Sequence, residues 1–264
     1  MISIADHKRK SETSFAQLIT CDQPVSYQEG WSWQQQLHKA RVAGTAPDSL
    51  LLLEHLAIYT AGRRTEHTHI RQAEIERLRT GIAIETVNRG GSITYHAPGQ
   101  LIGYPIIMLR RYASGPKAYV RLLEETLIEI LNLWGVEGYR VDESPGVWVR
   151  AQGGESKIAS IGVRVDRGVT LHGFALNVDL DLTPFSLITP CGLSGCRMTS
   201  LTELYGTPVS VMTVAEQTAN MFASLFNIAW IDPHKDTTIN DKSDSFSPAV
   251  HEGGQESHAI PART

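Results

Sequence analysis

The sequence predicts an α/β (α+β) domain, a mixed β-sheet flanked by helices. Three observations carry that reading. Apolar runs of strand length recur between Ser49 and Val178. Two amphipathic helical stretches stand apart, one before and one after the densest cluster of short strands. The strands between them are joined by turns rather than by crossover helices, so repeated strand–helix–strand units are not expected.

Taken in order, residues 1–20 are polar and predict a flexible N-terminal extension. Residues 21–231 form the expected folded body, with a weak helix over 28–40. Ser49 to Tyr59, SLLLLEHLAIY, reads as one buried strand, and Ile82–Val87 and Leu101–Leu109 read as two more. Residues 116–134 set Val120, Leu123, Leu127, Ile130, Leu131 and Trp134 on one helical face. Short strands follow at Gly146–Arg150, Ile158–Val165 and Val169–Val178, with Asp166-Arg167-Gly168 as a hairpin turn between the last two. Thr213 to Glu216 reads as a capping box that opens a helix through Phe226. Residues 232–264 have almost no apolar residues and no periodicity, so a disordered C-terminal tail is expected.

Composition bounds the function. A chain of 264 residues buries a large core. A net charge of −4 argues against a dedicated nucleic-acid binder. No apolar run approaches the ~20 residues that span a bilayer, so no membrane segment is expected. Arg63-Arg64 and Arg110-Arg111 are local basic pairs, either solvated surface or a dock for an acidic partner together with Lys117. Cys21, Cys191 and Cys196 cannot all pair within one chain. The start lacks an apolar h-region and carries Asp6 and Glu12, which argues against a signal or transit peptide. Free thiols in a reducing cytoplasm are the expectation.

The most informative segment is Arg89 to Gln100, RGGSITYHAPGQ. Gly90 and Gly91 let backbone N–H groups approach a ligand closely, with Arg89 and His96 as polar handles. Cys191, in TPCGLSGC, sits at a constrained turn and reads either as a nucleophile or as a small buried hydrophobe. Cys191 and Cys196 lack the further ligands of a tetrahedral zinc site, so no metal is expected. Lys157 shares alternation parity with Ala159, Ile161, Val163 and Val165, which would lay its stem on an apolar face as a candidate acid or base. The competing bases are His96 and His172, since a Cys–His pair is the commoner way to activate a thiol.

RGGSITYHAPGQL, SPGVWV, KIASIGVRVDRGVTLHGFALNV and PFSLITPCGL stand in colinear order over residues 49–205. In these four blocks the chain resembles the octanoyltransferases of lipoate biosynthesis. The resemblance implies a lipoate/biotin protein ligase-like catalytic domain that moves an octanoyl group from octanoyl-acyl carrier protein to a lysine of lipoyl domains. The implied acceptors are the 2-oxoacid dehydrogenase E2 subunits and the glycine cleavage H protein. It implies Cys191 as nucleophile and Lys157 as its partner. It further implies substrate binding by Arg89, Gly90, Gly91, Ser92, Ile93, Thr94, Tyr95 and His96, by Ser160, Ile161 and Gly162, and by Gly173, Phe174 and Ala175, with His172 in support. No cofactor is implied beyond the phosphopantetheine that carries the substrate.

Two positions depart from the family pattern. Ala97 stands where YHGPGQ is usual, which would strain the turn if that position needs a positive φ. Ala159 stands where relatives often have Cys, which leaves Cys191 the clearer nucleophile. The octyl chain is expected on the sheet face around Ile161 and Val163. The alternatives are an ATP-dependent lipoate or biotin protein ligase and a non-catalytic acyl-binding regulator on the same fold.

Overall fold

The computed structural model describes residues 13–232 apart from Gln152 and Ser194. The expected tail from Pro233 onward, and the N-terminal extension up to residue 12, lie outside the described residues.

The elements run β1 (Ser14–Thr20), α1 (Tyr27–Ala43), β2 (Asp48–Leu53), β3 (Ile58–Ala61), α2 (His67–Thr80), β4 (Ala83–Thr86), β5 (Ile93–His96), β6 (Gln100–Ile106), α3 (Pro116–Leu133), β7 (Gly138–Val141), β8 (Ser144–Ala151), β9 (Gly154–Asp166), β10 (Val169–Asn177), α4 (Leu201–Tyr205), α5 (Val211–Phe226) and β11 (Ile228–Trp230). Eight strands form one sheet in the order β11-β1-β2-β6-β10-β9-β8-β7. Pairing is parallel at β11-β1 and β1-β2 and antiparallel from β2-β6 onward, so the sheet is mixed as expected. A second sheet, β4-β3-β5, has three strands.

Helices cover both faces of the large sheet. On one face α3 and α5 close a core that includes Leu123, Leu127, Ile130, Phe174, Leu176 and Phe222. On the other, α1 covers Leu51, Leu53, Ile102, Tyr104 and Ala175. A third core joins the small sheet to the segment that approaches Cys191, through Tyr59, Tyr95, Leu180, Phe185 and Ile188.

Four expectations shift. Ser14–Thr20 is a paired strand, not part of a flexible extension, because its backbone is matched by β2 and β11 on both sides. The single strand expected over Ser49–Tyr59 is two, in different sheets, interrupted where Leu56 reaches solvent. The helix ending at Phe226 begins earlier than Thr213: Ser210 caps it, its hydroxyl accepting from Thr213 N–H at 3.4 Å. The reciprocal capping box is on α1 instead, between Ser26 and Glu29. The Asp166–Gly168 hairpin forms as expected, with positive φ at Arg167 and Gly168.

Candidate active site

Cys191 sits in a short 3₁₀ turn, Pro190–Gly192, with φ 59° and ψ 9°. A left-handed backbone costs a non-glycine residue about 1–2 kcal/mol, and it persists only where neighbours over-determine it. Here they do. Thr189 N–H donates to His69 O at 2.9 Å, and Gly192 N–H to Thr189 O at 3.0 Å. Gly192 follows with φ 73°, and a Cβ there would lie 3.2 Å from His69 Cε1. The turn therefore aims the sulfur at the sheet.

Lys157 meets it. Its Nζ lies 3.3 Å from Cys191 Sγ and 5.3 Å from the centre of the Trp148 ring. Lys157 is 1% exposed. The chain beyond Cys191 docks against it in parallel. Lys157 N–H donates to Arg197 O at 2.8 Å, and Thr199 N–H donates to Lys157 O at 3.1 Å. Ser160 Oγ is 4.0 Å from the same sulfur.

The parity argument for Lys157 fails in detail. Pairing between β8 and β9 shifts between Val147 and Trp148, so that Val147 opposes Ala159 while Trp148 opposes Lys157. This bulge puts both Ile158 and Ala159 in the α3–α5 core. Lys157 is thereby turned to the opposite face, where it shares the sulfur with Ser160.

A cavity opens from Cys191 along that face. Arg89, Gly91, Ser92, Ile93, Thr94 and His96 line one wall. Ser160, Ile161, Gly162, His172, Gly173, Phe174 and Ala175 line the other. Gly90 and Tyr95 are not in its wall. Gly90 N–H donates to Val163 O, and Tyr95 packs edge-on against Phe185. Of the two residues expected to line the octyl slot, Ile161 is in the wall, with Ile93, Ile102, Phe174 and Ala175, and Val163 is not. Close backbone approach explains the glycines: a Cβ on Gly162 would lie 3.0 Å from Gly90 O and 3.1 Å from Arg89 Cδ.

Neither histidine expected to compete for the thiol is placed as its base. His96 is held between Thr60 Oγ1 at 3.2 Å and Gln100 Oε1 at 2.7 Å, and burial pushes its pKa down to about 3. His172 Nε2 meets Asn88 Oδ1 at 2.8 Å, and its ring stacks on Trp31 with centres 5.0 Å apart. Burial, with Arg89 and Arg164 nearby, pushes its pKa down to about 3 as well. Arg89 is a structural clamp. Its guanidinium donates to Ser92 O at 2.7 Å, Thr60 O at 2.6 Å and Thr60 Oγ1 at 2.9 Å, tying the glycine-rich segment to β3.

Ala97 is unstrained. The positive φ in that turn falls on Gly99, at 90°, and Ala97 is not among the residues with positive φ. Sequence reasoning missed Tyr27, Tyr104, Trp148 and His69. The first two line the cavity, Trp148 faces Lys157, and His69 Nδ1 meets Ser92 Oγ at 2.9 Å. Only Trp148 had a signal, its place in SPGVWV opposite KIASIG.

Among the described residues no group of three or more His, Cys, Asp or Glu could hold a metal ion. No helix among them is long and apolar enough to cross a membrane.

Residues 26–223 match the family described as the lipoyl protein ligase A/B catalytic domain. The octanoyltransferase of Syntrophotalea carbinolica is 44% identical over 207 residues, 78% of this chain and 92% of that protein. The octanoyltransferase of Mycobacterium marinum is 51% identical over 195 residues, 72% of this chain and 80% of that protein. Among solved structures, a putative lipoate protein ligase from T. acidophilum shares the fold, with a TM-score of 0.63, 16% identity, and coverage of 83% of this chain and 90% of that one.

Proposed function

The chain belongs to the lipoyl protein ligase A/B catalytic domain family and transfers octanoyl groups in lipoate biosynthesis, and from that premise we propose a two-step transfer through Cys191. The donor is octanoyl-acyl carrier protein, and the acceptor is a lysine of a lipoyl domain, on 2-oxoacid dehydrogenase E2 subunits or the glycine cleavage H protein.

The observation that carries this reading is the 3.3 Å approach of Lys157 Nζ to Cys191 Sγ at the mouth of an apolar cavity. The mechanism takes Lys157 as the ammonium and Cys191 as the thiolate, an ion pair in which each charge offsets the burial of the other. In the first step the thiolate attacks the donor thioester carbonyl. The tetrahedral oxyanion collapses, the C–S bond to phosphopantetheine breaks, and Lys157 gives its proton to the departing thiolate. In the second step the acceptor amine attacks the octanoyl-Cys191 thioester. Neutral Lys157 takes the proton that the amine loses, and Cys191 leaves as the thiolate, so the ion pair is restored. The octyl chain lies against Ile102, Phe174 and Ala175, with the Arg89–Thr94 segment closing over it.

The thioester is already activated, so neither nucleotide nor metal is needed, and phosphopantetheine on the donor is the sole carrier. Three free cysteines support a reducing cytoplasm as the setting. The test is intact mass after mixing with octanoyl-acyl carrier protein without nucleotide. One octanoyl adduct is expected, absent in Cys191→Ser. An adduct that appears only with ATP would assign an adenylating ligase instead.

A further inference from the structure

Two residues beside the cleft have no part in the chemistry of that transfer, yet their geometry converges on the lysine. Glu124, on α3, is only 3% exposed. Its Oε1 accepts the N–H of Gly146 at 3.1 Å. Its Oε2 lies 3.2 Å from Arg140 Nε and 3.5 Å from Arg121 Nη1, so its charge is met by arginines and not by Lys157. Gly146, on β8, has φ 128°, a conformation that side chains disfavour. A Cβ on Gly146 would lie 2.6 Å from Lys157 Cε and 2.3 Å from Ala159 O.

A lysine stem has four flexible bonds, and its charge is useful only where its rotamers are confined. Around Lys157 the confinement is visible. The Trp148 ring lies on one side, the bare backbone of Gly146 on another, and the sulfur ahead. The Gly146 backbone is itself pinned from behind by a buried carboxylate. We propose that Glu124 and Gly146 are positioning residues for Lys157: the carboxylate anchors β8 where a missing Cβ leaves a lane for the lysine to reach Cys191. This rests on the reading of Lys157 and Cys191 as a working pair.

The experiment compares Glu124→Asp, Glu124→Leu, Glu124→Gln and Gly146→Ala with Lys157→Met, singly and combined with it. Three readouts are taken: alkylation of Cys191 by iodoacetamide as a function of pH, octanoyl-enzyme formation, and steady-state kcat and KM for transfer. Misplacing a catalytic group by an ångström costs ~10²-fold in rate. Glu124→Leu and Gly146→Ala are expected to lose rate on that scale and to take on the alkylation pH profile of Lys157→Met. Glu124→Asp, which withdraws the acceptor by one methylene but keeps the charge beside Arg140, loses less and in kcat rather than KM. Glu124→Gln keeps the acceptor and stays near wild type. In the Lys157→Met background the Glu124 changes cost nothing further, because they act through the lysine. Wild-type alkylation in Glu124→Asp together with whichever of the other two folds, or losses that add to that of Lys157→Met, would overturn the proposal. If Lys157→Met alone leaves alkylation unchanged, the pair itself is wrong, which is a different failure.

Discussion

Lys157 Nζ and Ser160 Oγ converge on one sulfur, at 3.3 and 4.0 Å, from a single strand. A regular strand sends residues three apart to opposite faces. The extra residue in β9 opposite Val147 and Trp148 removes that restriction, and the site exists because of it.

On the proposed mechanism, replacing Lys157 by Met removes the group that faces the Cys191 sulfur and carries the proton. Loss of acid–base catalysis is expected to cost ~10²–10⁴-fold in single-turnover transfer, with the fold intact. Rapid-quench mass analysis of the octanoyl-enzyme measures it. A Lys157→Met enzyme that acylates at the wild-type rate removes the lysine from the mechanism.

Acid should unfold this protein through its histidines. Burial lowers His55 to about 4, and His96 and His172 to about 3, from an ordinary 6.5. Each binds its proton more weakly folded than unfolded. Their contribution is therefore complete above pH ~6.5 and is lost as pH falls, towards about 4 for His55 and about 3 for His96 and His172. Each costs about 1.4 kcal/mol per pH unit within that window. Urea midpoints followed from pH 7 to pH 5 should fall steeply, and His172→Asn should flatten the slope. An unchanged slope would mean that His172 is not neutral in the fold.

The turn after β5 separates two small residues. Ala97→Gly gains nothing, since Ala97 has no positive φ, and is expected to destabilise by about 0.4–1 kcal/mol through the unfolded chain. Gly99→Ala meets Asp179 O at 2.3 Å and a φ of 90°, and should cost several times more. Thermal unfolding of both variants checks the order, and equal effects would contradict it.

The basic pairs differ in how free they are. Arg63 and Arg64 are exposed, and their backbone N–H groups donate to Arg89 O and Gly91 O at the edge of the cleft. Arg111 is committed to Asp48, 3.5 Å away. Reversing Arg63 and Arg64 to Glu should raise KM for an acidic carrier protein and flatten its salt dependence, while reversing Arg110 and Arg111 does less. Salt titration of kcat/KM decides it; equal effects from both pairs would retire the Arg63–Arg64 patch.

The pair proposed to carry the chemistry was legible only through the family resemblance: taken alone, Cys191 read equally as nucleophile or buried hydrophobe, and a histidine outranked Lys157 as its partner. The mixed sheet, the long amphipathic helix α3 and the Asp166–Gly168 hairpin were legible in the chain itself, all products of short-range periodicity and turn chemistry. Which face Lys157 uses was not legible, since a bulge is a property of two paired strands and leaves no trace in either alone. Nor was the retirement of His96 and His172 as bases, which follows from Gln100, Thr60, Asn88 and Trp31 arriving from distant segments to occupy them. Tertiary packing decided these points, because a side chain's direction, burial and partners depend on neighbours that only folding brings together.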